Sequence, residues 1–132
     1  MLSVPTDELR QYIDRELEPS AWLTIDQDRI EAFADATLDH QFIHVDAEKA
    51  RHTPFGSTIA HGYLTMSLIS YFAAECGVRP ENLVMAINYG SDKVRFLQPV
   101  RVDSRIRARA VLKSVEDRPG GQVLVKTKFT IE

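Results

Sequence analysis

Hydrophobic positions along the chain change period once. Up to about residue 77 they recur every three or four residues, and from Val84 onward they recur every two. In TDELRQYIDREL (6–17), Thr6 stands where a cap would, acids fill the first turn, and Leu9, Ile13 and Leu17 share one face, which predicts a short amphipathic helix. AWLTI (21–25) reads as a strand. DQDRIEAFADAT (26–37) predicts a second helix capped by Asp26, with Ile30, Phe33 and Ala34 on one stripe. Asp46 is placed to cap a turn through AEKAR, and HTPFGST (52–58) is a Pro- and Gly-containing connection. HGYLTMSLISYFAAECG (61–77) has no Asp, Glu, Lys or Arg before Glu75 and ends at Gly77, with Pro80 behind it. A helix without a charged face is expected to be buried all round, yet this run is shorter than the ~20 apolar residues a bilayer requires. It predicts a central core helix over about 61–76.

The second half predicts a sheet. Ile106, Ala108, Ala110 and Leu112 alternate with Arg105, Arg107, Arg109 and Lys113, the pattern of a strand with one buried and one wet face. QVLVKTKFTIE repeats it through Val123, Val125, Phe129 and Ile131, with EDRPGG (116–121) as the turn between, and VMAINYGSDKVRF (84–96) reads as a further strand with Gly90 as a bulge. An uncharged helix followed by long antiparallel strands suggests an α+β fold with a curved sheet wrapped around the helix.

Composition narrows the class without naming a chemistry. A chain of 132 residues, 44% hydrophobic and 27% charged, can bury a conventional core in one domain (1–132). Its net charge of −3 offers no basic surface for nucleic acid. Cys76 is the sole cysteine and can form no internal disulfide; it reads as a buried apolar residue. The N-terminal segment is acidic and has no apolar core of the secretory kind, so the expected location is cytoplasmic, away from membranes.

The candidate chemistry lies in LDHQFIHVD (38–46). Asp39 and His44 are five residues apart, about 140° around a helix and on opposite faces of a strand, so they converge only on irregular backbone. A second polar element, STIAHG, brings the chain to the start of the apolar helix, where unpaired N–H groups favour negative charge. Gly62 has no side chain to keep a ligand from its N–H. An acid, a histidine and such an N–H are the groups needed to add water across a double bond conjugated to a carbonyl.

These residues carry a resemblance. DHQFIH (39–44), IAHGYL (59–64) and NYGSDKVRFLQPV (88–100) are similar to the MaoC-like dehydratases, the hot-dog-fold family that includes the (R)-specific enoyl-CoA hydratases, over nearly the whole chain. The resemblance implies that Asp39 and His44 activate water and that the Gly62 N–H binds the thioester oxygen. Gln41, His61, Tyr63 and Ser70 are the expected substrate-side residues, Ser70 matching a serine that in some members supports the aspartate. It further implies a homodimer acting on an enoyl-CoA or enoyl-acyl-carrier-protein thioester, without a metal or redox cofactor. Two departures accompany it. Gln41-Phe42 stands where many hydratases have Asn-Pro, the form of a single-domain subgroup, and the sequence reaches Glu132 inside a strand pattern, so the expectation is a sheet lacking its last strand.

Other readings compete. Asp39 and His44 can belong to a structural turn, and His61 to packing or loop bonding. His40, His44, His52 and His61 fall within 22 residues beside Asp39 and Asp46, which invites a metal, although their spacing matches no standard zinc pattern. His40 is expected to face solvent or support its neighbour. The arginines at 105, 107 and 109 are a solvated strand face or, with Lys93 and Arg95, candidates for coenzyme A phosphates. Tyr63, Met66, Leu68 and Tyr71 are candidate acyl-tunnel residues. A thioesterase on the same fold and a non-catalytic acyl-thioester binding subunit are the alternative functions.

Overall fold

The period-two alternation of the C-terminal half becomes a hairpin. A computed structural model describes residues 1–132, in which β5 (Ala108–Arg118) and β6 (Gln122–Ile131) pair antiparallel around a turn at Pro119–Gly121. Gly120 and Gly121 take φ of 76° and 72°, which residues with a Cβ rarely adopt. Ala108, Ala110 and Leu112 are buried, and Ala108 faces Ile131, Ala110 faces Phe129 and Leu112 faces Thr127. The register then shifts at Lys113, so that Val115 pairs with Val125. This bulge moves the shared face of β5 from even to odd positions while β6 keeps its phase. Val125, past the bulge, is exposed.

This hairpin belongs to one of two compact units into which the chain divides, made of Met1–Ala21, Ile69–Gly90 and Arg107–Glu132. In the same unit β1 (Leu2–Val4) runs parallel to β3 (Val78–Pro80), a pairing of three-residue strands too short to leave a periodic signal. The helix expected over 6–17 is instead a 3₁₀ segment, Thr6–Tyr12, preceded by Pro5 and without a side-chain cap from Thr6. Leu9 is fully buried there. Beyond it the Asp14 N–H donates to Leu112 O (2.9 Å) and Glu16 bridges Val111, so pairing with β5 displaces the helical period.

The other unit comprises Trp22–Leu68 and Ser91–Ile106. β2 (Leu23–Ile25) pairs antiparallel with β4 (Ser104–Ile106). Asp26 then caps α1 (Gln27–Thr37), accepting from the Arg29 N–H at 2.9 Å, and α1 buries Ile30 and Ala34. Two single-turn helices follow, α2 (Phe42–Val45) and α3 (Ala47–Ala50), the second capped by Asp46 through the Lys49 N–H. Residues 58–60 run against 100–102, with Ala60 N–H donating to Val100 O (2.7 Å) and Val102 N–H to Thr58 O (3.0 Å).

Two expectations change. The helix over 61–76 is present as α4 (Gly62–Ser67) and α5 (Ile69–Ala73), divided at Leu68, and it is not buried all round: Leu64 and Phe72 are buried while Tyr63 and Tyr71 are exposed. Hydroxyl-bearing side chains form its wet face, which the absence of charge conceals. Residues 84–96 form no strand, and so no bulge at Gly90, and Val84, Ile87 and Tyr89 are 91%, 79% and 86% exposed. Alternation permits a strand; a ladder partner makes one. No helix is long and apolar enough to cross a membrane.

Candidate active site

The site begins where α1 ends. Leu38 closes the helix in the left-handed conformation (φ 62°, ψ 19°) with its side chain in solvent, and this turn delivers Asp39. The Asp39 carboxylate Oδ1 accepts from the Gln41 N–H at 3.3 Å, an Asx turn that leads into α2. Gln41 O in turn accepts from the His44 N–H (2.9 Å). Asp39 therefore stands on irregular backbone, as the spacing required, whereas His44 lies on one turn of helix.

His44 is 6% exposed, and its ring Nδ1 lies 2.6 Å from Ile59 O. A carbonyl oxygen only accepts, so Nδ1 carries the proton and Nε2 keeps its lone pair. Burial is the main influence lowering the His44 pKa, with the His61 ring adding to it; the Ile59 hydrogen bond and the Asp39 charge oppose them. The backbone beneath is held by a relay that the sequence does not signal. Gln27 Nε2 donates to His44 O (2.8 Å) and Gln27 Oε1 accepts from the buried Thr58 Oγ1 (2.6 Å). Ile59 N–H also donates to Ile43 O (3.0 Å). The two polar motifs are thus joined through several bonds.

His61, the residue before α4, is 3% exposed. Its ring stacks on that of His44 at 3.8 Å between centroids and 23° between planes, and Phe33 lies 4.9 Å away. One carboxylate oxygen of Asp39 and one ring nitrogen each of His44 and His61 lie within 4.8 Å of one another. These three are the donors that could hold a metal. A metal ~2.0–2.1 Å from two imidazole nitrogens must lie in both ring planes, and planes only 23° apart meet far outside that reach. Atoms within 4.8 Å of one another can also share one water, since two hydrogen bonds of ~2.8 Å to one oxygen span about 4–5 Å.

The remaining candidates are dispersed. Gly62 opens α4, and a Cβ there would stand 3.0 Å from the Phe96 ring. Tyr63 is exposed, with its ring edge-on to Phe96 at 5.8 Å. The Gln41 side chain is exposed. Ser70, in the unit containing α5, accepts from Asn88 Nδ2 at 3.3 Å. His40 pairs with Asp35 (2.8 Å) on the surface, and His52 accepts from Arg51 Nε (3.1 Å), so neither joins the Asp39 group. Arg107 and Arg109 both bond Glu132, and Arg105 lies over the Trp22 ring. Cys76 is buried, its thiol pKa raised by that burial.

Residues 8–132 match the family model described as MaoC like domain. Among curated proteins the chain is similar to Nodulation protein N of Rhizobium leguminosarum bv. viciae, 46% identical over 91% of this chain and 75% of that protein. It is also similar to 3-hydroxyacyl-thioester dehydratase Z of Mycobacterium tuberculosis (strain ATCC 25618 / H37Rv), 47% identical over 86% and 74%. Among solved structures it is similar to a MaoC-like dehydratase from Rhodospirillum rubrum, with a TM-score of 0.74 at 21% identity over 98% of this chain and 85% of that one. With its helical segments and antiparallel strand pairs, the chain belongs to the MaoC-like dehydratase family and has the hot-dog fold.

Proposed function

We propose that the protein is an (R)-specific enoyl-CoA hydratase, adding water reversibly to a trans-2-enoyl-CoA to give the (R)-3-hydroxyacyl-CoA. The observation that carries this reading is the convergence of the Asp39 carboxylate with a His44 ring whose Nε2 lone pair is left free by the bond from Nδ1 to Ile59.

In the proposed reaction Asp39 and His44 hold one water. One of them takes a proton as the water oxygen bonds to C3, the C2=C3 π pair moves toward C2, and negative charge develops on the thioester oxygen. C2 then takes the proton back from the same pair, so one water is consumed and both side chains return to their starting states. The Gly62 N–H, which as the first of α4 has no intrahelical acceptor, is the group assigned to the thioester oxygen. Gln41 and Tyr63 are assigned to the substrate side because they flank these groups in sequence and are exposed. The relative named as a 3-hydroxyacyl-thioester dehydratase supports the class of chemistry, its named reaction being the reverse of the same reversible step.

The active species is proposed to be a homodimer. In support, Val84, Met85, Ile87 and Tyr89 stand exposed in one short stretch, an apolar segment that contact with a second chain would cover.

Crotonyl-CoA tests the reaction. Loss of the enoyl absorbance without release of free thiol, with an (R)-3-hydroxy product, is the expected result. Thiol release would assign a thioesterase instead, and a thermal shift with acyl-CoA but no turnover would assign a binding subunit.

A further inference from the structure

His61 makes a set of contacts that packing alone does not require. Its Nε2 lies 2.9 Å from Asp39 O. Since the carbonyl can only accept, Nε2 bears the proton and Nδ1 carries a lone pair. That Nδ1 is buried without a protein partner. The ring face lies against His44, with Phe33 close by. One side chain therefore fixes the main chain of Asp39 by a hydrogen bond and the ring plane of His44 by stacking.

Asp39 needs such an anchor. It follows a left-handed, solvent-exposed Leu38, is itself exposed, and its carboxylate has only the long 3.3 Å bond from Gln41. His44, by contrast, is already held through Ile59 and Gln27. A free loop carrying the acid would spread its carboxylate over positions of which few share a water with His44.

We infer that His61 is the positioning residue of the pair, acting through its Nε2–H bond to the Asp39 carbonyl and its stack on His44, and not a group that binds substrate. The inference rests on the hydratase reading for its kinetic consequence, but the tautomer and the bond do not depend on turnover.

Two variants separate the contacts. His61→Gln can place an amide nitrogen near the Nε2 position and keep the bond to Asp39, whereas His61→Phe keeps an aromatic face and loses the bond. With crotonyl-CoA, His61→Phe is expected to lower kcat about 100-fold with little change in KM, and His61→Gln to recover most of that loss. Wild-type kcat in His61→Phe, or a raised KM at unchanged kcat, would overturn the inference. Long-range proton–nitrogen correlation spectra of the ligand-free protein supply the independent readout: His61 is expected as the Nε2–H tautomer, and an Nδ1–H tautomer would overturn the inference whatever the activity. If wild type shows no turnover, the hydratase reading fails by itself, and the His61 tautomer still decides whether the anchor exists.

Discussion

The ring of His44 donates from Nδ1 to Ile59 O across 2.6 Å, and this bond between the two polar motifs decides which ring nitrogen keeps its lone pair. A backbone carbonyl cannot be titrated away or rotated to a different function. It holds one tautomer of His44 and leaves Nε2 as an acceptor.

The pH dependence follows from the lowered pKa of His44, caused first by burial. The unfolded chain takes up this proton near pH 6.5 and the folded chain only at lower pH, so between those values the unfolded state binds more protons. Stability from this group is whole above about pH 6.5, falls as pH drops toward the folded pKa, and is fully lost below it. Turnover should show an acid limb below pH 6.5. His40→Ala should leave that limb in place, because His40 titrates at the surface beside Asp35.

Thr58→Val tests the relay beneath His44. The change removes the hydroxyl that donates to Gln27 Oε1 and leaves that oxygen unmet. A stability loss of about 1–3 kcal/mol in chemical denaturation is expected, with a kcat loss larger than that of an exposed control such as Thr130→Val.

Leu38→Gly tests the turn that delivers Asp39. Leu38 is 82% exposed and left-handed, so glycine gives up little burial and relieves strain of roughly 1–2 kcal/mol, against a larger entropy loss on folding. Thermal denaturation should show unchanged or slightly higher stability while kcat falls, because a looser turn spreads the carboxylate.

Much of this arrangement was legible in the sequence, and the failures have causes. Asp26 and Asp46 cap as read because capping is local chemistry. The alternation from Ile106 to Leu112 gave the buried face because one side of a ribbon repeats every two residues. The same alternation over 84–96 misled, since no partner segment pairs with it. At the site, Asp39 and His44 could be singled out from their types and spacing, and His61 as a substrate-side residue by resemblance or as one of packing or loop bonding, but not as an anchor of Asp39. Gln27, Thr58 and the Ile59 carbonyl could not be found: they act through bonds that span 15 to 31 residues, and a main-chain oxygen has no sequence signature.

Gly62→Ala tests the approach to the α4 N-terminus. The added Cβ would meet Phe96 at 3.0 Å, and the partly exposed ring can swing aside. A stability change within about 1 kcal/mol is expected, with kcat reduced roughly tenfold or more if the N–H faces the developing oxyanion.

The most direct test is a double-mutant cycle on kcat for crotonyl-CoA hydration with Asp39→Asn, His44→Gln and the pair together. If both side chains act on one water, each single change should cost several powers of ten and the double change little more than either. Losses that multiply, or a single variant near the wild-type rate, would contradict the shared-water account.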